Sequence, residues 1–369
     1  MSKSNETRLF RPVKALEPIV VIGGGPAGSI CARQLARSGL RVMVVERGDA
    51  RLRLGETCGP RVCGLLQAAC GLSISRAAYT PLPTFFSSWG SEELDGRRFS
   101  FWQAGDGMAL DRKALDRWLL ASAESEGVTL LRGWQVTGGR PDEYGWLLRC
   151  LVDGEERSLR AGFVVEAMGR TAQSVLQPEV RRFFTDRLVC LSVEVTGPPE
   201  AESFAMVESC AVGWWYTVRL ACGRQIVSLF TDGDLVKPAE SRLQWLKEEL
   251  ASTLHLRQLS DRIPEGATIQ VCDARTSIRN LLWGDRWMSI GDAAWSLDPL
   301  SGTGVERAIT DGVDAATAIS RAIDSGDNEA LRSHAVSRAD AFRESLAVQK
   351  RYYAIEARWR DAIFWRRRV

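Results

Sequence analysis

The residues best placed to do chemistry are backbone groups and carboxylates rather than nucleophiles. Gly23, Gly25 and Gly28 complete G-x-G-x-x-G within the run GGGPAG, which also holds Pro26 and Ala27. The first glycine permits a tight turn, the second lets the backbone approach a pyrophosphate, and the third lets helix and strand pack closely. A helix opening there offers free N–H groups and a positive dipole end to phosphates. Glu46, followed by Arg47, closes the next apolar run about 20 residues on, where a carboxylate can accept hydrogen bonds from ribose hydroxyls. Far along the chain Gly291-Asp292 ends another apolar run. Ser301-Gly302-Thr303-Gly304 then opens an Ala-rich helix and aims its N–H groups at whatever lies before it. The set spells an adenine-dinucleotide site and does not by itself name the dinucleotide.

Two histidines, His255 and His334, stand far from every glycine motif. That argues against a histidine-ligated metal and against a Ser-His-Asp triad, so no metal site is expected. The hard chemistry must come from a bound cofactor. Nine cysteines carry no C-x-x-C spacing, Cys58 and Cys63 standing five apart, and read as reduced, mostly buried thiols. A net charge of +2 gives no nucleic-acid or membrane signal. No run approaches the roughly 18 apolar residues of a membrane span. The polar start MSKSNETRLFRPVKALEP lacks a signal-peptide apolar stretch, so a cytoplasmic location is expected, with no nucleic-acid or membrane partner.

The elements that must position these residues follow from hydrophobic period. After a lead-in of 17 residues, Ile19 to Ile22 reads as a buried strand, Pro26 to Ser38 as a helix and Arg41 to Val45 as a second buried strand. Residues 51–72 pass from a loop into a helix with Leu65, Leu66 and Ala69 on one face. Short alternating stretches over 80–110 read as antiparallel strands. A helix runs from Asp111 and stops at Gly127. Three strands follow, the last ending in the apolar run Phe163 to Val165 and then Glu166-Ala167-Met168-Gly169-Arg170. Residues 183–232 are rich in strands, including Trp214-Trp215-Tyr216. A helix is expected over about 241–259, strands at 267–273 and 287–290, and a helical tail with a basic-aromatic end from about residue 327.

GGGPAG at 23–28, EAMGR at 166–170 and GDAAWSLDPLSGTG at 291–304, in this order, resemble the flavoprotein monooxygenase superfamily, the fold of p-hydroxybenzoate hydroxylase and the flavin-dependent halogenases. The resemblance implies an α/β chain: a GxGxxG Rossmann-like FAD-binding domain, an inserted antiparallel-sheet substrate domain and a helical C-terminal tail. Residues 1–80, 105–180 and 267–325 would form the split FAD-binding domain, 81–104 and 181–266 the substrate domain, and 326–369 the helical segment. FAD would be held by Gly23, Gly25, Pro26, Ala27, Gly28, Glu46, Arg47, Arg112, Gly291 and Asp292. Here Asp292 matches the ribityl-binding Asp and Arg112 the Arg of D-R-x-x-L-D. The usual D-A-T-G motif has Glu166 for its Asp and Met168 for its Thr. The loop Ser301, Gly302, Thr303 and Gly304 would face the flavin ring and stabilise negative charge on it when reduced.

GETCGP at 55–60 and PLSGTG at 299–304 look most like the halogenase branch, with three departures. No Lys occurs between Lys14 and Lys113 to carry an activated halogen, Ser301 replaces the glutamate of P-L-E-S-T-G, and the W-x-W-x-I-P motif keeps only Trp214 and Val218. Hydroxylation needs none of these, because a flavin C4a-hydroperoxide can pass its distal oxygen to an electron-rich ring. SSWGSEEL at 87–94, GWWYTVRL at 213–220 and Y-x-x-E-x-R-W…F-W at 353–365 look similar to the LodB/GoxB-type maturases of tryptophylquinone cofactors. That similarity implies a tryptophan of a partner oxidase as substrate, with O2 as co-substrate and no nucleic acid involved. No second GxGxxG follows, so either NAD(P)H docks transiently or a separate reductase supplies electrons. A small-molecule hydroxylase or halogenase and a geranylgeranyl-type flavin reductase remain the alternatives.

Glu56, Asp106 and Glu208 are the carboxylates expected nearest the substrate, though each also reads as a surface or capping residue. Trp214, Trp215 and Tyr216 read either as an aromatic slot or as strand residues packing the core. The tail, with Tyr352, Tyr353, Trp359, Phe364 and Trp365 among arginines, reads as a helix closing over the core with Arg on its wet face, or as a docking surface.

Overall fold

The computed structural model describes residues 17–48, 56–98, 105–170, 173–197, 202–220 and 223–369; the expected lead-in over 1–16 and Gly55 of the first loop lie outside them. The chain opens with β1 (Ile19–Ile22), α1 (Pro26–Arg37), β2 (Val42–Glu46), β3 (Glu56–Cys58) and α2 (Arg61–Cys70). β4 (Tyr79–Leu82), β5 (Thr84–Ser88), β6 (Asp95–Arg98), β7 (Gly107–Leu110) and α3 (Arg112–Glu124) follow. Next come β8 (Thr129–Arg132), β9 (Trp134–Asp142), β10 (Gly145–Val152), β11 (Glu155–Ala161) and β12 (Phe163–Glu166). β13 (Arg182–Phe184), β14 (Leu188–Thr196), β15 (Phe204–Cys210), β16 (Gly213–Arg219), β17 (Arg224–Asp232) and α4 (Ala239–Ala251) lead to β18 (Gln270–Asp273) and β19 (Ser277–Arg279). The chain closes with β20 (Trp283–Gly284), β21 (Trp287–Ser289), β22 (Trp295–Ser296), α5 (Gly304–Ser325), α6 (Glu329–Ile355) and α7 (Ile363–Arg366).

Apolar runs too continuous for a one-sided sheet build the centre. β1, β2, β8, β12 and β21 lie parallel in the order β20-β21-β12-β1-β2-β8, with β20 antiparallel at the edge. All four residues of β1 are buried, as befits a parallel sheet covered on both faces. Alternation divides them. Ile19 and Val21 join Cys31 and Leu35 of α1 and Ala315 and Ile319 of α5, while Val20 and Ile22 join Val136, Trp146 and Leu148 of the β9–β11 sheet. Segments far apart in sequence therefore finish side by side at the carboxyl ends of β1, β2, β12 and β21, the edge where open α/β sheets bind ligands.

The second large sheet runs β18-β14-β17-β16-β15-β5-β6. It is antiparallel except for one pair, β5 beside β15, which runs parallel. One face packs on α4 through Leu191, Val227, Leu229, Trp215, Trp245, Leu246 and Leu250. The other faces the cavity described below. β3, β4 and β7 form a small separate sheet.

Three expectations are corrected. The run from Arg157 to Glu166 is two strands: at Gly162, whose N–H donates to Pro18 O at 2.9 Å, the chain leaves β10's side for β1's. The helix expected over 241–259 ends at Ala251, because Ser252 and Thr253 turn their hydroxyls back to Glu249 O and Leu250 O. A separate 3-10 turn then spans Arg257–Arg262. The tail arginines are not all on a wet face either: Arg368 and Arg367 reach the buried Asp232 at 2.6 and 2.7 Å.

The tail is fastened by charge as well as by Phe364 and Trp365, both fully buried. Glu356 accepts from Gly90 N–H at 2.8 Å, Ser209 Oγ at 2.6 Å and Arg358 Nη2 at 2.6 Å, tying the end of α6 to the second sheet. Burial raises this carboxyl, but the bonds from Arg358, Ser209 and Gly90 outweigh it and bring it to about 2. Its unfolded value is about 4.3. A depressed carboxyl stabilises the folded chain above its unfolded value and loses that contribution as pH falls through the folded one. Denaturant unfolding at stepped pH should therefore show a loss of stability between about pH 4.3 and 2, and Glu356→Gln should flatten that step while lowering stability at neutral pH.

Candidate functional site

The glycine turn meets the sequence requirement geometrically. Gly23 has φ +108°, and a Cβ there would lie 2.5 Å from Ala167 O; at Gly28 it would lie 2.0 Å from Gly23 O. Only glycine lets α1 sit this close to β1 and to the segment after β12. Glu46 at the end of β2 accepts Gly24 N–H at 2.6 Å and Gly48 N–H at 3.2 Å, so its carboxylate is held beside the turn. A cavity of about 1140 Å³ begins here, lined by Gly23, Gly25, Pro26, Ala27, Glu46 and Arg47.

Asp292, just past β21, also lines that cavity. Arg170 Nε donates to its Oδ2 at 3.0 Å and Arg307 Nη2 to its Oδ1 at 2.9 Å. Burial raises the Asp292 carboxyl, yet Arg170 and Arg307, with Arg112 and Arg182 beyond, hold it below the usual range. Arg182, crowded by burial and by Arg279, is lowered to about 10. Gly291, not itself on the cavity wall, gives its N–H to Asp311 at 2.5 Å, and Asp311 also takes His334 Nε2 at 2.9 Å and Arg338 Nε at 2.8 Å. His334 is thus a buried, satisfied helix residue behind the turn.

On the far side Arg112 reaches the cavity but is committed to carboxylates, Glu56 at 2.7 Å and Asp116 at 3.3 Å. Glu56 lines the cavity and is paired to Arg112. Asp106 is exposed and off the wall. Glu208 is not on the cavity wall: it is buried and accepts the N–H groups of Leu254, His255 and Leu256, capping the turn after α4.

The second sheet supplies an aromatic wall, and its pleat sorts Trp214-Trp215-Tyr216. Trp214 and Tyr216 line the cavity; Trp215, between them, points the other way into the α4 core and is no slot residue. Trp214 stacks on Phe230 directly across the strand pair, centroids 3.9 Å apart. Tyr216 donates to Thr57 Oγ1 at 3.1 Å, and burial raises its phenol, so it stays protonated. Ser192 and Ser228, hydrogen-bonded at 2.6 Å, place a polar pair within this wall.

The last wall is the loop before α5. Asp298 accepts Leu300 N–H at 2.9 Å and shapes a one-turn 3-10 helix, Pro299–Ser301; Gly302 follows with φ +60°. Ser301, Gly302 and Gly304 line the cavity, whereas Thr303 turns to Ser301 at 3.1 Å and is not part of the lining. The start of α5 is exposed to the cavity with no side-chain cap, leaving its first N–H groups available.

These residues fit FAD. The cavity exceeds the roughly 300–1,000 Å³ of small-molecule pockets, and the N-termini of α1 and α5 open onto it at different places. Arg170 Nη1 and Arg307 Nε are buried without a hydrogen-bond partner, as donors awaiting a bound acceptor would be. Glu46 and the α1 turn would hold the ADP half, Asp292 the ribityl chain, and Gly302 to Gly304 the ring. Among the described residues no three His, Cys, Asp or Glu side chains gather as a metal site. Sequence reading gave Arg170, Arg307, Asp298, Ser192 and Ser228 no role. Arg170 and Asp298 stand within the quoted motifs EAMGR and GDAAWSLDPLSGTG, which was a usable signal; Arg307 lies in the first turn of the helix that the second motif opens, and only strand register brings Ser192 and Ser228 to the cavity.

A sequence model described as FAD binding domain matches residues 17–347. LodB of Marinomonas mediterranea is 30% identical over 363 residues, 95% of this chain and 96% of that protein. The 1H-pyrrole-2-carbonyl-[peptidyl-carrier protein] brominase of Pseudoalteromonas luteoviolacea is 25% identical, over 84% of this chain and 78% of that one. Among solved structures, the peptidyl tryptophan dihydroxylase QhpG, essential for tryptophylquinone cofactor biogenesis, superimposes with TM-score 0.78 at 26% identity, over 96% of this chain and 79% of that one.

Asp292 is the test of the site. Asp292→Ala removes the counter-charge of Arg170 and Arg307 and should weaken FAD retention about tenfold or more, read as the flavin-to-protein absorbance ratio after gel filtration.

Proposed function

The chain belongs to the FAD binding domain family and is an FAD-dependent oxidoreductase, and from that premise we propose that it hydroxylates a tryptophan side chain of a partner oxidase during quinone-cofactor biogenesis. The reaction would consume O2 and two electrons from NAD(P)H or a separate reductase. The division into an FAD-binding part (1–80, 105–180, 267–325), a substrate part (81–104, 181–266) and a helical segment (326–369) belongs to this reading.

The observation that carries it is the composition of the cavity. It runs from the glycine turn to an aromatic wall of Phe85, Trp214, Tyr216 and Phe230, and among the described residues no lysine lines it. A halogenase of this fold needs an amine to carry activated halogen; a hydroxylase does not. The kinship with QhpG, a peptidyl tryptophan dihydroxylase, over 96% of this chain supports a protein-bound tryptophan over a free small molecule.

When bound and reduced, FAD would supply the activation of O2, one atom of which would go to an electron-rich ring and the other, with two protons, to water. The chain's own groups do the rest. The N–H groups at the start of α5 would stabilise negative charge on the reduced ring. Trp214, Phe230 and Phe85 would hold an indole flat and dry, and the protonated Tyr216 can donate but not accept a proton. Glu56 is paired to Arg112, Asp292 to two arginines, and Asp298 is hydrogen-bonded by Leu300, Gln349 and Tyr353; an indole needs no base to attack an electrophilic oxygen.

Co-expression with a quinone-cofactor oxidase precursor, followed by intact mass and peptide mapping, tests the reading. The expected result is a mass gain of whole oxygen atoms confined to one tryptophan, absent without O2. An unmodified tryptophan beside an FAD-loaded, O2-consuming enzyme overturns it; turnover without O2 would point to a flavin reductase.

A further inference from the structure

Tyr353 of α6 is buried to 1% exposure, and its hydroxyl makes two directed hydrogen bonds. It accepts from Trp214 Nε1 at 3.0 Å and donates to Asp298 Oδ2 at 2.7 Å. Both partners line the cavity, Trp214 in the aromatic wall and Asp298 at the head of the loop that leads to Gly302 and Gly304. Gln349, one turn back on the same helix, donates to the same Asp298 oxygen at 2.9 Å. The other oxygen holds Leu300 N–H and so shapes the loop. Every one of these donors to Asp298 is neutral, unlike those of Glu56 and Asp292, which face arginines. Burial raises the Asp298 carboxyl, and the bonds from Tyr353 and Leu300 act against that. The tail therefore supplies the groups that let a carboxylate sit buried at the loop.

The ring of Tyr353 is held independently of its hydroxyl. Trp89, Phe364 and Trp365 surround it with centroids 5.7, 6.1 and 5.7 Å away, and the Arg368 guanidinium lies 5.3 Å from its centre. Removing the hydroxyl alone would leave that packing in place while stripping a donor from Asp298 and the acceptor from Trp214.

We propose that Tyr353 is a positioning residue: its hydroxyl locks the Asp298–Gly304 loop to the Trp214 wall, so that the C-terminal helix sets the spacing between the backbone donors that face the flavin and the aromatic slot. This rests on the reading that the loop faces the flavin ring, and not on the identity of the substrate.

The test is Tyr353→Phe in the full FAD-loaded chain, with the midpoint potential of bound FAD measured by dye equilibration beside FAD content and melting temperature. FAD content should stay near the parent, while the melting temperature should fall, as for any buried hydrogen bond lost. The potential should fall, by the equivalent of a ~2- to 12-fold loss of preference for reduced FAD, the worth of one ordinary hydrogen bond. Trp365→Phe removes a different tail bond, Nε1–H to Cys210 O at 2.8 Å, and leaves the Tyr353 chain intact. It should lower the melting temperature without moving the potential. An unmoved potential in Tyr353→Phe, or one matched by Trp365→Phe, overturns the proposal. Should Tyr353→Phe lose its FAD, Gln349→Leu removes the second donor to the same oxygen and is judged by the same two outcomes. The potential needs no substrate, so a failed hydroxylation assay leaves this result standing, and a failed potential shift leaves the hydroxylation question open.

Discussion

The buried pair of Glu166 and Arg279 is the joint on which the site depends. Glu166 ends β12 with no exposure, and its carboxylate gathers Arg279, the Ser289 hydroxyl at 3.2 Å, the Ser174 hydroxyl at 3.0 Å and Val175 N–H at 2.8 Å. Those partners lie on β19, on β21 and on the segment after Arg170. Desolvating two charges offsets much of their attraction, so what the pair adds is direction more than net stability. It fixes the ends of β12 and β21 relative to one another, and the residues just beyond those ends are Arg170 and Asp292. The two sides of the central ion pair of the cavity are thus set by a second ion pair one layer deeper.

That arrangement explains what could be seen in the sequence. The β1–α1–β2 unit was legible because every constraint on it is local: apolar runs, glycines at fixed offsets, an acid at a strand end. The Glu166 position was legible as a strand end and illegible in role, because a carboxylate that departs from the family's Asp looks like a weakened motif until Arg279, more than a hundred residues on, is seen against it. Trp214-Trp215-Tyr216 shows the same limit. Period two dictates that Trp215 faces away from its neighbours, and nothing local says which face meets the cavity. Glu208 read from sequence as either a site acid or a capping residue, and it is the cap: the turn it caps arises where Ser252 and Thr253 end α4 early.

Charge bookkeeping within the cavity bears on the chemistry. Glu56, Asp273 and Asp292 are each met by arginine, at 2.7, 2.7 and 3.0 Å or closer. Glu46 is held by backbone N–H groups at the opposite end. Asp298 is held by Leu300 N–H, Gln349 and the Tyr353 hydroxyl. A wall whose carboxylates are all so engaged suits a reaction in which a bound cofactor, and not a side chain, activates O2 toward an electron-rich ring. It suits poorly any chemistry that asks a side chain to generate a nucleophile. The absence of lysine along the chain from Lys14 to Lys113 points the same way, from covalent sequence rather than from geometry.

The C-terminal segment turns these separate walls into one enclosure. α1, the Asp292 cluster and the start of α5 belong to the nucleotide side; Trp214, Phe230 and Tyr216 belong to the second sheet. Few covalent links run between them, and their relative placement would be free to drift without a third body touching both. α6 and α7 are that body. Trp365 donates to Cys210 O on the second sheet, Arg367 and Arg368 reach Asp232 at the end of β17, and Tyr353 and Gln349 reach Asp298 on the nucleotide side. Tyr353 is the one of these residues that bonds to both sides with a single atom. From composition, a tail rich in aromatics and arginine reads either as a helix closing over the core or as a surface for another molecule. Folded, Tyr353, Phe364 and Trp365 are buried and Arg367 and Arg368 bond to Asp232 within this chain, while Tyr352, Ile355 and Ile363 stay exposed.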